Sequence, residues 1–152
     1  MKLAPADLAY AAALIDSFAV LTTRRVGEAE LPQVTIQGKV AALPWLAEVS
    51  GVKVIEVAKD YARHQCSEHC PDRHTRIEST TRRWQLTGAR ATVVLYSVEP
   101  YLRVQARTAR GLVEVGQSLG FKTDVVNDMT RLGWTIPELR SQPRARIERV
   151  SA

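Results

Sequence analysis

The sequence has few of the features that mark membrane or secreted proteins. It contains 2 cysteines in 152 residues, and its apolar runs fall short of the roughly 20 residues needed to span a bilayer. The apolar stretch near the start includes an acidic residue, Asp16, which argues against a signal peptide. We therefore expect an intracellular protein in a reducing compartment, with the cytoplasm as its location and no membrane partner.

Acidic residues are outnumbered by basic ones. The chain has 16 Asp and Glu against 21 Lys and Arg, for a formal charge of +5 and a pI near 9.6. An excess of basic charge favours a polyanionic partner, because neutralising phosphates releases condensed counterions. The alternative is that these side chains only solvate the surface.

The length and composition indicate one globular domain. Hydrophobic residues make up 45% and charged residues 24%, which is ordinary for a soluble fold with its own core. We predict that residues 1–122 form the main body of this domain. Residues 123–152 would add a helical and basic C-terminal tail to it.

The hydrophobic pattern predicts an α+β fold with the element order α-β-β-α-β-β-α-α. A first helix over residues 5–17 has a flat face of small residues at Ala9, Ala12 and Ala13. Residues 33–40 alternate, which directs Val34 and Ile36 to one side of a strand. We expect an antiparallel sheet with helices on one face and polar side chains on the other.

Three other segments complete this pattern. The run "VKVIEVA" predicts a strand, residues 59–83 are polar and irregular, and "RWQLTG" predicts a short final strand. The helix in "ARATVVLYSVEPYLR" is expected to end before Pro100, and Gly51 is expected to cap the second helix. Trp45 and Trp84 are predicted to lie in the core.

Two stretches carry a family resemblance. "AAALIDSFA" at residues 11–19 resembles the motif of the LAGLIDADG homing endonucleases, and "EPYLRVQ" at residues 99–105 resembles the family's PYL-x-x-K region. The resemblance extends over residues 8–121 and includes the αββαββα order, so the chain is similar to a single-motif member. It implies a homodimer whose motif helices pack together, with Ala9, Ala12 and Ala13 at the interface.

The resemblance also implies a saddle-shaped sheet that lies on double-stranded DNA. Side chains on such a sheet read base edges and contact phosphates. The residues that we expect to contact DNA are Thr22, Arg24, Thr35, Gln37, Lys39, Arg63, Arg76, Arg82, Arg83, Gln85 and Arg103.

The chain departs from the family motif at the positions that carry the nuclease chemistry. Asp16 matches the first acid, but Phe18 stands where active members have the acid that binds the catalytic metal. Gln105 stands where a lysine follows "PYL" by three residues. We therefore expect no catalytic residues, a degenerate active site, and a DNA-binding protein that has lost nuclease activity.

Other functions stay open at this point. The chain could be an active homing endonuclease that cleaves duplex DNA with Mg²⁺, an RNA-binding maturase, or a dimerising protein without a nucleic-acid role. A non-cutting DNA-binding protein could act as a regulator or persist as the relic of a mobile element.

A His/Cys-rich loop adds one candidate metal site. Zinc could be held by Cys66, Cys70, His69 and His74, with His64 also nearby. The alternative is a polar loop with reduced thiols, whose basic residues approach phosphates. Apart from this zinc, we expect no cofactor.

Overall fold

A computed structural model of the protein describes residues 2–63 and 76–138, with the side chains of residues 60–63 and 76–78 excepted. The four predicted zinc ligands, Cys66, His69, Cys70 and His74, lie outside the described residues. The same holds for residues 139–152, which include most of the predicted basic tail.

The element order agrees with the order that the sequence predicts. The described residues contain five helices and four strands, arranged as α1 (Pro5–Phe18), β1 (Ala19–Val26), β2 (Ala29–Gly38), α2 (Leu43–Ser50), β3 (Ile55–Arg63), β4 (Arg76–Thr87), α3 (Ala89–Val98), α4 (Ala106–Leu119) and α5 (Thr123–Arg131). A 3-10 turn at Glu99–Tyr101 follows α3, so the chain tightens there at Pro100 before it leaves the helix.

The four strands form one antiparallel sheet in the order β1-β2-β4-β3. A two-residue turn joins β1 to β2, and Gly27 takes the left-handed conformation in it with a φ of 63°. Side chains alternate along each strand, and those that face the helices are buried, as at Val34, Ile36 and Trp84. The predicted α+β fold with helices on one face of an antiparallel sheet is therefore confirmed.

The core lies between this sheet face and the helices. Trp84 is fully buried, as predicted, and its indole Nε1 donates a 2.9 Å hydrogen bond to Ser50 Oγ at the end of α2. Trp45 is only half-buried and contacts Tyr10, with ring centroids 4.9 Å apart. Trp134 was not predicted, yet it is buried and donates to the Val49 carbonyl at 2.8 Å. The core thus extends past residue 122 into the C-terminal part of the chain.

Two glycines explain where α2 ends and how closely α4 packs against α3. Gly51 ends α2 in the left-handed conformation with a φ of 71°, as expected, and its N–H donates to the Ala47 carbonyl. In α4, Gly116 lies directly against the buried side chain of Thr92 in α3.

None of the helices within the described ranges is long and apolar enough to cross a membrane.

Strands β3 and β4 differ from the sequence prediction. β3 begins at Ile55, three residues later than expected, while Val52 and Val54 precede it and pack at the edge of the core. β3 then continues to Arg63 and β4 starts at Arg76, within a region predicted to be irregular. The two strands pair with each other there, and these main-chain hydrogen bonds do not depend on alternating apolar residues.

The paired ends of β3 and β4 project past β2. Gly38, the last residue of β2, pairs with Arg82, whereas the pairing of β3 with β4 continues as far as Arg63 and Arg76. We call this two-stranded extension, residues 58–63 with 76–81, the β3–β4 arm.

Candidate nucleic-acid interface

The resemblance to the LAGLIDADG motif falls on the junction between α1 and β1. Asp16 lies in the last turn of α1, and its carboxylate accepts three backbone N–H groups from the segment that leads into α4. Oδ2 accepts from Arg103 at 2.7 Å, while Oδ1 accepts from Val104 at 3.2 Å and from Gln105 at 2.9 Å. Asp16 therefore fastens the chain before α4 to the end of α1.

Gln105 completes this connection from the other side. Its Nε2 donates to the Ile15 carbonyl at 2.8 Å and to the Ala19 carbonyl at 3.1 Å. These two carbonyls lie at the end of α1 and the start of β1, and the Ile15 carbonyl also accepts the backbone N–H of Ala19. Asp16 and Gln105 thus form a reciprocal pair of contacts, which we call the Asp16–Gln105 clasp.

The clasp also sets the ionisation of Asp16. Burial alone would raise the pKa of this carboxyl, but the three backbone N–H donors and the nearby Arg103 charge together hold the pKa below its ordinary value of 3.8. Asp16 is therefore a carboxylate at neutral pH, and the charge is used to accept hydrogen bonds within the chain.

The junction does not fit the divalent metal of an active family member. Both oxygens of Asp16 already face backbone donors, and hard cations such as Mg²⁺ require oxygen ligands. Phe18, at the end of α1, has no oxygen to offer and is 50% exposed. Among the residues that the structure describes, no cluster of three His, Cys, Asp or Glu side chains is placed to hold a metal ion.

The sheet face opposite the helices carries rows of mostly polar side chains, with Val20 and Ile55 as exposed apolar members. One row across the sheet is Val20, Thr35 and Gln85, set by the register of β1, β2 and β4. The neighbouring rows are Thr22, Gln33 and Thr87 on one side, and Gln37, Arg83 and Ile55 on the other. We call this surface the outer sheet face.

The centre of the outer sheet face is a shallow open depression of about 400 Å³. Two of its polar atoms, Thr35 Oγ1 and Arg83 Nε, are shielded from solvent and have no hydrogen-bond partner among the described residues. Such atoms cost free energy when they stay unpaired.

The depression brings together five of the predicted DNA contacts, namely Thr22, Thr35, Gln37, Arg83 and Gln85. Arg24 lies on the same face farther along β1, and Lys39 follows the end of β2. Phe18, Val20 and Gln33 line the depression too, although we did not expect them to contact DNA. The alternation of β2 already indicated Gln33, which shares its parity with Thr35.

The remaining predicted contacts lie elsewhere. Arg82 has the parity of the buried Trp84, so it is exposed on the helix side of the sheet and not on the outer sheet face. Arg103 is exposed beside the Asp16–Gln105 clasp. The backbones of Arg63 and Arg76 pair with each other at the end of the β3–β4 arm, and their side chains lie outside what the structure describes.

The predicted dimer face is partly displaced. Ala9 and Ala13 are exposed on α1, but Ala12 is fully buried in the core of its own chain, because it lies about 100° around the helix from Ala13. Ala9, Ala13 and Ser17 instead line an open groove of about 570 Å³ together with residues 100–104. We call this the α1 groove; Val104 within it is 78% exposed.

Comparisons with known proteins define the fold. No family model matches the sequence, and no curated protein matches it. The structure is similar to the crystal structure of the homing endonuclease I-CvuI in complex with its target (Sro1.3) in the presence of 2 mM Ca. The TM-score is 0.54 at 12% sequence identity, and the match covers 93% of this chain and 90% of that chain. The chain therefore has a LAGLIDADG-like fold.

Proposed function

We propose that this protein binds double-stranded DNA through the outer sheet face and does not cut it. The observation that carries this proposal is the combination of two neighbouring sites. The outer sheet face presents amides, hydroxyls and a guanidinium in regular rows, while the adjacent α1–β1 junction has no free set of metal ligands.

The shape and charge of the molecule support the binding part. The strands present their polar side chains at a period of two, so alternate residues reach one surface, as base-edge readout requires. The formal charge of +5 favours association with phosphates. The fold is also similar to that of a homing endonuclease in complex with its target, which is consistent with duplex binding.

The Asp16–Gln105 clasp supports the proposal that the protein does not cut DNA. A metal at Asp16 would have to compete with three backbone N–H groups, and losing those contacts would release the segment before α4 from α1. Phe18 leaves the second acid position without a ligand. The junction is therefore better suited to holding the fold together than to activating water.

We further propose that two copies of the chain associate through the α1 groove. Ala9 and Ala13 present little more than backbone there, which lets a second helix approach closely. Tyr101 and Val104 add exposed apolar surface beside them. Pairing two copies at this groove would place two outer sheet faces on one duplex, around a two-fold axis.

Binding-site selection from random duplex DNA, with and without Mg²⁺ or Mn²⁺, tests this function. We expect enrichment of a defined duplex site in both conditions, and no double-strand breaks in either. Arg83→Ala should weaken binding, whereas Asn127→Ala, an exposed change on α5 away from the sheet, should not.

Three results would contradict the proposal. Specific cleavage that is lost in Asp16→Asn, in a variant that still melts cooperatively, would show an active nuclease. A clear preference for structured RNA over duplex DNA would indicate a maturase. Failure to retain any nucleic acid would leave only the dimerising protein.

A further inference from the structure

We infer that the outer sheet face reads an A·T-rich stretch of duplex that contains one G·C pair for each copy of the chain, with the guanine under Arg83. This inference rests on the proposed function and specifies its substrate. The observation that carries it is the almost neutral centre of the face.

The charges on the outer sheet face are unevenly placed. Arg83 is the one charged side chain among the eight residues that line the central depression. Other cations, Arg24 and Lys39, lie beyond it along β1 and after β2. Phosphates need cations, whereas base edges are read by groups that both donate and accept. The centre of the face is therefore equipped for base edges, and the surrounding cations for phosphates.

The amides in the depression point to adenine. Gln37 and Gln85 each offer a carbonyl acceptor beside an NH₂ donor, and this pair matches adenine N7 and N6 in the major groove. Gln33 offers its NH₂ group, while its side-chain carbonyl accepts from Thr87 Oγ1 at 3.5 Å. Two apolar side chains, Phe18 and Val20, are 50% and 63% exposed at the same depression. Apolar side chains of this kind contact the C5-methyl group of thymine. Both sets favour A·T pairs.

Arg83 breaks this uniformity. Its guanidinium is a rigid fork of donors, and guanine presents two acceptors, O6 and N7, that such a fork contacts together. Arg83 Nε is shielded from solvent and has no partner within the described part of the chain. The inner part of this side chain therefore packs against the sheet. Its row partners are Gln37 and Ile55, neither of which has an acidic side chain that would neutralise it.

A change of one base preference tests the inference. Site selection is run on random duplex DNA with the full-length protein and with Gln85→Arg. The wild-type site should be A·T-rich with one guanine for each half-site. Gln85→Arg should change the preferred pair at one position of each half-site from A·T to G·C. The preference for G·C at that position should be about 5- to 150-fold. Asn127→Arg, which adds the same charge on an exposed position of α5, should strengthen binding to all sequences alike and leave the preferred site unchanged.

A second variant tests the guanine. Arg83→Gln should replace the single G·C pair of each half-site by A·T while the flanking positions stay as they are. Thermal melting of each variant distinguishes a changed preference from a damaged fold. A selected site that is G·C-rich, or one that neither variant alters, would overturn this inference and leave duplex binding intact. Absence of any duplex binding would overturn the proposed function itself.

Discussion

At the scale of single residues, the motif positions hold the fold together. Asp16 and Gln105 lie far apart in sequence, yet each satisfies backbone groups on the other's element. An aspartate that accepts three N–H groups stabilises the chain as an anion, because its hydrogen bonds strengthen with charge. The family resemblance placed these two residues near each other, but it could not show that their polar atoms are occupied.

The clasp predicts a pH-dependent stability. The pKa of Asp16 is lowered in the folded state, so its contribution is fully present above the ordinary pKa of 3.8 and is lost as pH falls through the lower folded value. Asp16→Asn should reduce the free energy of unfolding by roughly 1–2 kcal/mol at neutral pH, and this difference should shrink below about pH 4. Urea unfolding at both pH values measures it.

Two other acidic residues serve as comparisons for this measurement. The pKa of Asp128 is also lowered, mainly by its side-chain hydrogen bond to Arg90, with Arg131 contributing, so Asp128→Asn should show the same sign of pH dependence. Glu28→Gln in the exposed β1–β2 turn should change stability little. If Asp16→Asn behaves like Glu28→Gln, the clasp does not stabilise the protein.

At the scale of helices and strands, the sequence predicts those elements whose buried residues recur at a regular period. The β1–β2 hairpin and α4 carry clear patterns of burial, and the structure has both elements. The β3–β4 arm was missed, because residues 59–63 and 76–81 are mostly polar and owe their strand conformation to pairing with each other. Arg82 was misplaced because the strand was expected to begin only at Arg83, although alternation back from the buried Trp84 gives its side.

Gly116 provides a test of how α3 and α4 pack. A methyl group at this position would lie 2.6 Å from Thr92 Cγ2 and still closer to the Thr92 hydroxyl, and Thr92 is buried and bonded to the Gly88 carbonyl. Gly116→Ala should therefore lower the free energy of unfolding by about 1–3 kcal/mol through overpacking. Thermal and urea denaturation measure the change.

Gly111 in the same helix is the matched control. A methyl group there meets nothing within 4 Å, so Gly111→Ala should raise stability by about 0.5–1 kcal/mol through better helix propensity. Equal stabilisation by both substitutions would show that α3 and α4 are farther apart than the structure has them.

At the scale of the whole molecule, the sequence predicted the fold better than the surface. Element order and a mostly polar sheet face follow from the hydrophobic pattern, and the structure has both, with Val20 and Ile55 as apolar exceptions on that face. The inward direction of Ala12 could not be read from a helix that is apolar on every side. The buried place of Trp134 was also hidden, because it follows α5 in a segment without periodicity.

Self-association through the α1 groove gives a prediction about mass. The wild-type chain should have a solution mass of about twice 16.9 kDa by light scattering. Ala13→Glu should return it to the monomer, because two like charges would meet at the two-fold axis. Asn127→Glu, exposed on α5, should leave the mass unchanged. A monomeric wild type, or a dimer that Ala13→Glu does not affect, would refute the proposed interface.

Salt dependence separates phosphate contacts from base contacts. Arg24 lies outside the central depression, so Arg24→Gln should reduce the slope of log K against log salt by about 1. Arg83→Gln should alter the preferred sequence with a smaller change in slope, because a base edge releases no counterion. Fluorescence anisotropy over a salt series gives both slopes. Equal slopes for the two variants would contradict the assignment of Arg24 to phosphates and of Arg83 to a base edge.

The β3–β4 arm has a consequence for how much duplex the protein covers. Its six residue pairs beyond Gly38 extend about 20 Å at the usual rise of a strand. That distance equals about six base-pair steps of B-form DNA. The arm leaves the sheet at the Gly38 end, where β1 also begins at Ala19 directly after α1, so in the proposed dimer each arm lies on the side of the two-fold axis. Nuclease protection should therefore be stronger over about six base pairs next to the centre of the site than the four-stranded region alone would give. Shortening the arm should reduce protection there and leave both outer ends of the footprint unchanged.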